Sequence, residues 1–223
     1  MTTGILYIVA TPIGNLGDIT FRAIETLKQA DLILCEDTRV TKGLLIHFDI
    51  TTPTMSYHQH STMIDVRKIE ALLNEGKNIA LVTDAGTPGI SDPGNLLIQQ
   101  LTNNNKQLTI VPIPGASAVI AALSISGFPT DKYMFMGFPP HKNKRVKYFQ
   151  EVADSEYTVV FYESSHRIVK AIENMKAVLG EDRELCICRE LTKKFETIYR
   201  GTMKEISEID MSEKGEFVVI VKG

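Results

Sequence analysis

Apolar residues in this chain fall into two textures. Short unbroken runs occupy residues 5–10, 32–35 and 79–82, a similar segment interrupted by Thr109 occupies 108–111, and each is followed within two residues by proline or an acidic residue. Runs of this kind, without polar alternation, predict strands buried on both faces, as in a parallel sheet. Between them the spacing changes to three and four. Residues 19–30 place Phe21, Ile24 and Leu27 at helical intervals, and residues 65–74 place Val66, Ile69, Leu72 and Leu73 on one face. Gly76 supplies the stop signal for the second helix. A third helix follows through residues 96–101, and residues 54–58 add a further short strand. Strand–helix alternation of this kind predicts a mostly parallel sheet covered by helices.

Beyond about Gly127 the pattern changes. Residues 133–138, 157–162, 185–188, 197–199 and 217–221 read as strands, with helices between the first three. The last two have no full crossover between them, which predicts a mixed sheet with antiparallel pairs. The chain is therefore expected to be α/β in two domains, residues 1–115 with a parallel sheet and residues 116–223 with a mixed one. The boundary falls within residues 114–127. No sequence repeat or low-complexity segment is visible.

The loops carry the chemistry. Asp84-Ala85-Gly86-Thr87-Pro88-Gly89-Ile90-Ser91-Asp92-Pro93-Gly94 joins a strand to a helix with three glycines, two prolines and two aspartates. Ordinary βα turns need only about two to six residues. Glycine lets a ligand approach the backbone and proline stiffens the loop. Asp92 followed by Pro93 reads as a helix N-cap and first helical position. Residues 11–18, 36–39 and 112–117 are further polar or Gly/Pro-rich segments at strand ends. In a parallel sheet these segments share one edge, where small molecules bind.

Composition narrows the function. A length of 223 residues with 43% hydrophobic and 23% charged content fits one large or two modest cores. No apolar run approaches the roughly 18 residues that span a bilayer, and the N-terminus has no basic segment or cleavage site, so neither a membrane span nor a signal peptide is expected. Cys35, Cys186 and Cys188 form neither a zinc pair nor a disulfide framework, and buried thiols in a reducing cytoplasm are expected. The formal net charge of −3 is not the basic balance of a nucleic-acid-binding domain. Any nucleic-acid contact must come from local patches, such as Lys142, Lys144, Arg145 and Lys147 beside His141. The alternative is a solvated helix start. Phosphate-binding GxxxxGK[ST], dinucleotide-binding GxGxxG, HExxH and GxSxG patterns are absent. His58 and His60 have a ligand-compatible spacing but no third partner, so no metal is expected.

Together the motifs TPIGNLGDIT (11–20), CEDTR (35–39), DAGTPGISDPG (84–94), PGASA (114–118), GFPPHK (137–142), FYESSHR (161–167), RELTKKFE (189–196) and GEFVVIVKG (215–223) resemble one family across essentially the whole chain. That family is the 16S ribosomal RNA cytidine 2′-O-methyltransferases, within the tetrapyrrole methylase superfamily. The resemblance implies a two-domain class III S-adenosylmethionine methyltransferase fold, with the cofactor in a cleft between the domains. It also implies a homodimer and 16S rRNA in the 30S subunit as substrate. By the same resemblance Pro12, Asp84, Ala85, Gly86, Ser117, Ala118, Glu163 and Leu191 face S-adenosylmethionine. The sequence departs from the family at Ser165, where proline is usual, and at Pro139, where leucine is common. Many members also continue past the final strand with a small helical region.

Methyl transfer to a ribose hydroxyl needs positioning and a destination for the proton. Asp37, Glu163 and Glu190 are the candidate acceptors, and the sequence does not choose among them. Arg39, Arg167, Lys193 and Lys194 are candidates for gripping phosphate near the site. Each also reads as a salt-bridge partner or helix cap. Two other functions share the fold: a tetrapyrrole C-methyltransferase, disfavoured by CEDTR, YESSHR and RELTKKFE, and a non-catalytic cofactor- and RNA-binding module.

Overall fold

The computed structural model describes residues 3–58, 61–92 and 94–223. The chain divides into two compact units, Met1–Ser117 and Ala118–Gly223.

The first unit is a five-stranded sheet in the order β3-β2-β4-β1-β5, formed by β1 (Ile5–Val9), β2 (Leu32–Cys35), β3 (Thr54–Ser56), β4 (Ile79–Leu81) and β5 (Thr109–Ile113). Every pairing in it is parallel. The unbroken apolar runs are explained by burial on both faces. Val9, Ile33 and Cys35 pack on one side with Ala23 and Leu27 of α1 (Phe21–Gln29) and Leu45 of α2 (Thr38–His47). Leu6, Leu34 and Leu81 pack on the other with Val66, Ile69 and Leu73 of α3 (Met63–Asn74) and Leu97 and Leu101 of α4 (Asn95–Asn104).

Several local expectations are corrected. Phe21 is 88% exposed. It opens α1, and helical side chains lean toward the preceding turn, where no helix exists to cover it. Pro112 lies inside β5, not in the loop beyond it. β5 is an edge strand, where a residue without an N–H is tolerated. Asp92 does not cap α4: Gly94 occupies the N-cap position at φ 148°. Pro93 lies outside the described residues. Helix α2 has no counterpart in the hydrophobic pattern. Its N-cap is Asp37, whose side chain accepts from the Arg39 N–H.

The second unit holds α5 (Ala118–Ser126), β6 (Tyr133–Phe135), α6 (Arg145–Ala153), β7 (Thr158–Glu163), α7 (Ile168–Lys176), β8 (Glu184–Arg189), β9 (Thr197–Thr202), α8 (Met203–Glu208) and β10 (Phe217–Val221). The sheet order is β6-β7-β10-β8-β9. Only β6 and β7 pair in parallel among these strands; the other pairings are antiparallel, so the sheet is mixed as expected. Phe161, Ile187, Phe217 and Val219 alternate onto one face, against Phe149 of α6, Ile168 and Met175 of α7, and Ile206 of α8. Cys186 and Cys188 share a face of β8, buried and unbridged, with their sulfurs 3.9 Å apart.

Candidate functional site

In the first unit the carboxyl ends of all five parallel strands lie on one edge, and the loops there are joined. Thr11 N–H donates to the Gly86 carbonyl at 2.9 Å, and Gly86 N–H returns a bond to the Thr11 carbonyl at 3.1 Å. The Thr87 hydroxyl donates to the Ala116 carbonyl at 3.2 Å. The Asp37 N–H donates to Asp84 Oδ1 at 3.1 Å. The loops after β1, β2, β4 and β5 are thereby fastened into one surface. Gly86 needs its glycine, because φ is 86°. Gly115 needs its own for closeness: a Cβ there would stand 2.9 Å from Ala10 Cβ.

Around that junction Asp84 and Ala85 are exposed, Pro12 and Gly86 are buried, and Ser117 is half-buried. Ser117 ends the first unit and Ala118 opens α5. A free carboxylate oxygen, exposed backbone and a serine hydroxyl form a donor–acceptor set suited to an amino-acid or ribose group.

Asp37 is differently placed. Its carboxylate takes the Arg39 guanidinium at 2.6 Å and the Arg39 N–H at 2.8 Å. Those bonds hold the carboxyl down at about 2. It is an anchor for α2 and a poor proton acceptor, while Arg39 itself is exposed but already paired.

In the second unit, Glu163 ends β7 fully buried. Its oxygens meet Arg145 at 3.2 Å and Arg167 at 3.2 Å. The Ser164 N–H adds a bond at 2.9 Å. Both oxygens are occupied. Arg145 therefore departs from the phosphate-gripping role expected of the basic run. It is 6% exposed, bonds Asn174 Oδ1 and the Pro140 carbonyl, and lies over the Phe149 ring. Lys142, Lys144 and Lys147 beside it remain exposed. Arg167 also donates to the Pro139 carbonyl and lies 3.5 Å from His141.

The loop after β8 is similarly pinned. Glu190 and Thr192 adopt positive φ, at 52° and 65°, on either side of buried Leu191. Non-glycine residues persist in that region only when their surroundings enforce it. Lys193 bonds Glu190 at 2.9 Å and Glu216 at 2.7 Å. Burial pushes the Glu190 carboxyl up, but the Lys193 ammonium and the Glu216 amide outweigh it and hold it below its ordinary value. Ser165 accepts from the Gly215 N–H at 2.9 Å and donates to the Gly215 carbonyl at 2.7 Å. The hydroxyl thereby ties the β7–α7 loop to the start of β10. Among the described residues no group of three His, Cys, Asp or Glu side chains is arranged to hold a metal; His60 lies outside them.

Residues 5–207 match the family model of tetrapyrrole (corrin/porphyrin) methylases. The chain is 48% identical to the ribosomal RNA small subunit methyltransferase I of Synechocystis sp., over 99% of this chain and 79% of that protein. It is also 48% identical to the one from Halalkalibacterium halodurans, over 99% of this chain and 76% of the relative. The chain belongs to the ribosomal RNA small subunit methyltransferase I family of tetrapyrrole methylases. Its fold is that of the superfamily: the crystal structure of a cobalt precorrin-4 methyltransferase superposes with a TM-score of 0.69 at 20% identity, covering 97% of this chain and 94% of that one. That likeness concerns the fold alone. Within this methyltransferase family the loops of residues 84–94 and 189–196 are the segments that sequence motif and local geometry both single out.

Proposed function

We propose that this chain transfers a methyl group from S-adenosylmethionine to the ribose 2′-hydroxyl of a cytidine in small-subunit ribosomal RNA. The observation that carries this reading is identity of 48% to small-subunit rRNA methyltransferases over 99% of the chain. The residues present suit the cofactor. Asp84 offers a carboxylate oxygen to an ammonium or hydroxyl. Ala85 offers exposed backbone beside buried Pro12 and Gly86, and Ser117 and Ala118 lie at the start of α5. When bound, the cofactor supplies a methyl made electrophilic by its sulfonium.

The chain's own work is then mainly positioning, which makes the reaction effectively unimolecular. Asp37, Glu163 and Glu190 each already hold cations, so their chemistry favours anchoring loops over receiving the hydroxyl proton. The test is incubation with labelled S-adenosylmethionine and 30S subunits, followed by mapping of the label. A single ribose-methylated cytidine is expected, and unlabelled 16S rRNA overturns the reading.

The RNA grip is proposed to come from Lys142, Lys144 and Lys147, the exposed lysines of the basic run. Replacing the three exposed lysines together by alanine is expected to weaken 30S binding and to reduce its logarithmic salt slope by about one per lost phosphate contact. Cofactor affinity stays unchanged. An unaltered slope assigns the RNA grip elsewhere. Arg145 is left out of that variant because it is buried. The protein is proposed to act as a cytoplasmic homodimer. No described helix is long and apolar enough to cross a membrane. Light scattering at micromolar concentration is expected to give twice the chain mass, and a monomer mass counts against the dimer.

A further inference from the structure

We propose that the loop joining β8 to β9 carries a stacking platform for an unpaired base of the RNA substrate, with the Phe195 ring as the platform and Lys194 holding the adjacent phosphate. This rests on the rRNA-methylation reading above and names a substrate determinant of that reaction. Phe195 is 65% exposed and, among the described residues, belongs to none of the hydrophobic cores. One exposed apolar side chain is ordinary. What singles this one out is how it is held and what surrounds it.

The loop keeps the ring in place. The Phe195 carbonyl accepts from Arg189 Nη1 at 3.0 Å and from the Thr197 hydroxyl at 3.2 Å. Arg189 is itself fixed by the Lys214 carbonyl at 2.6 Å. The Lys193 carbonyl accepts the Glu196 N–H at 3.1 Å. The acidic side chains of the loop are occupied, Glu196 by the Thr192 N–H at 2.6 Å and Glu190 by Lys193. Lys194 is exposed and forms no ion pair among the described residues. Its ammonium stands 5.6 Å from the Phe195 ring centroid, within cation–π range. A ring ordered beforehand loses little freedom on binding.

The surroundings point to a nucleic acid. Phe217 pairs with both Glu163 and Arg189, and Arg189 with Thr197. The Tyr162 N–H donates to the Gly137 carbonyl at 2.9 Å. The loops after β6, β7 and β8 therefore share one edge of the second unit's sheet. The exposed lysines 142, 144, 147 and 194 belong to that edge and to the start of α6. A second exposed ring, Phe138, is there too, at 49%, but it leans on Tyr162 at 5.3 Å. The opposite edge has the reverse sign: residues 127–132, 154–157 and 177–183 hold Asp131, Asp154, Glu156, Glu181 and Asp182 against Lys132 and Arg183. Rings set among exposed lysines suit a single strand, whose phosphates meet the ammonium groups while a base covers the ring face.

The test is binding to 30S subunits, measured by sedimentation at several salt concentrations for the parent chain, Phe195→Ala, Phe195→Leu, Phe195→Trp and Lys194→Ala. Loss of one stacked base is expected to weaken binding about fivefold or more in Phe195→Ala. Leucine keeps the apolar bulk without a π face and is expected to be as impaired as alanine, whereas tryptophan stays within about twofold of the parent. The logarithmic salt slope is unchanged in Phe195→Ala, because the lost contact is uncharged, and falls by about one in Lys194→Ala. Urea midpoints of the ring variants match the parent's, since no core packing is lost. If Phe195→Ala unfolds early, the comparison of Phe195→Leu with Phe195→Trp takes its place. Unchanged 30S affinity in Phe195→Ala, a leucine variant as good as the parent, or an unchanged salt slope in Lys194→Ala overturns the proposal. So does a smaller mass by light scattering in Phe195→Ala, which assigns the ring to a contact between copies of the chain. A parent that labels 30S subunits, with a Phe195→Ala variant that binds them equally well, sinks the platform and leaves the methyltransferase standing. A parent that binds 30S subunits through this ring but labels no ribose does the opposite.

Discussion

Glu163→Ala is expected to destabilise the protein by about 3–5 kcal/mol, because it strands a buried cation. Glu163 is 1% exposed and Arg145 6%. The pair is 3.2 Å long, with Arg167 on the second carboxylate oxygen at 3.2 Å. Without the carboxylate, the Arg145 guanidinium keeps the Asn174 and Pro140 oxygens and the Phe149 face but no counter-charge. Arg145→Met is expected to cost less. It replaces the guanidinium with an apolar chain beside Phe149, and Glu163 keeps Arg167. Urea titration followed by circular dichroism measures both. A midpoint for Glu163→Ala that moves no further than that for Arg145→Met shows that the buried charge is relieved some other way.

That same cluster marks where reading the chain alone stops. Lys142, Lys144, Arg145 and Lys147 form a basic run in sequence, and a basic run reads as a solvated face. The residue that pulls Arg145 inward is Glu163, eighteen positions away across the fold. The strands were legible for the opposite reason. β1, β2 and β4 are buried on both sides by helices, so every position is apolar and the runs announce themselves. Helix α2 was not legible. Its sequence TRVTKGLLIH contains β-branched residues and Gly43, and it buries only Thr41 and Leu45. What starts it is the Asp37 cap, a residue that chemistry alone reads as a candidate base. The binding edge was partly legible, since polar loops after parallel strands must converge. The setting of Asp92 was not: in sequence it is a cap before a proline, and in the fold it is a half-buried carboxylate facing Glu36 and Thr83.

In Asp84→Ala, affinity for S-adenosylmethionine is expected to fall about 10- to 100-fold, the loss of one charge-assisted hydrogen bond worth roughly 1.5–3 kcal/mol. Asp84 is exposed at the end of β4, so no core packing is lost with it. Among the described residues its structural duty is to accept the Asp37 N–H at 3.1 Å. Asp84→Asn separates the two roles. Its amide oxygen still accepts from Asp37 and holds the loop after β2, but it has no charge for a ligand ammonium. If the carboxylate meets the cofactor directly, the asparagine variant loses most of the affinity that alanine loses. If the aspartate acts only by holding the loops together, asparagine restores binding and alanine alone is impaired. Calorimetric titration of the parent and both variants decides between these. Unchanged affinity in Asp84→Ala removes Asp84 from the cofactor site, and the ligand must then be held by the backbone of Ala85 and Gly86 and by Ser117.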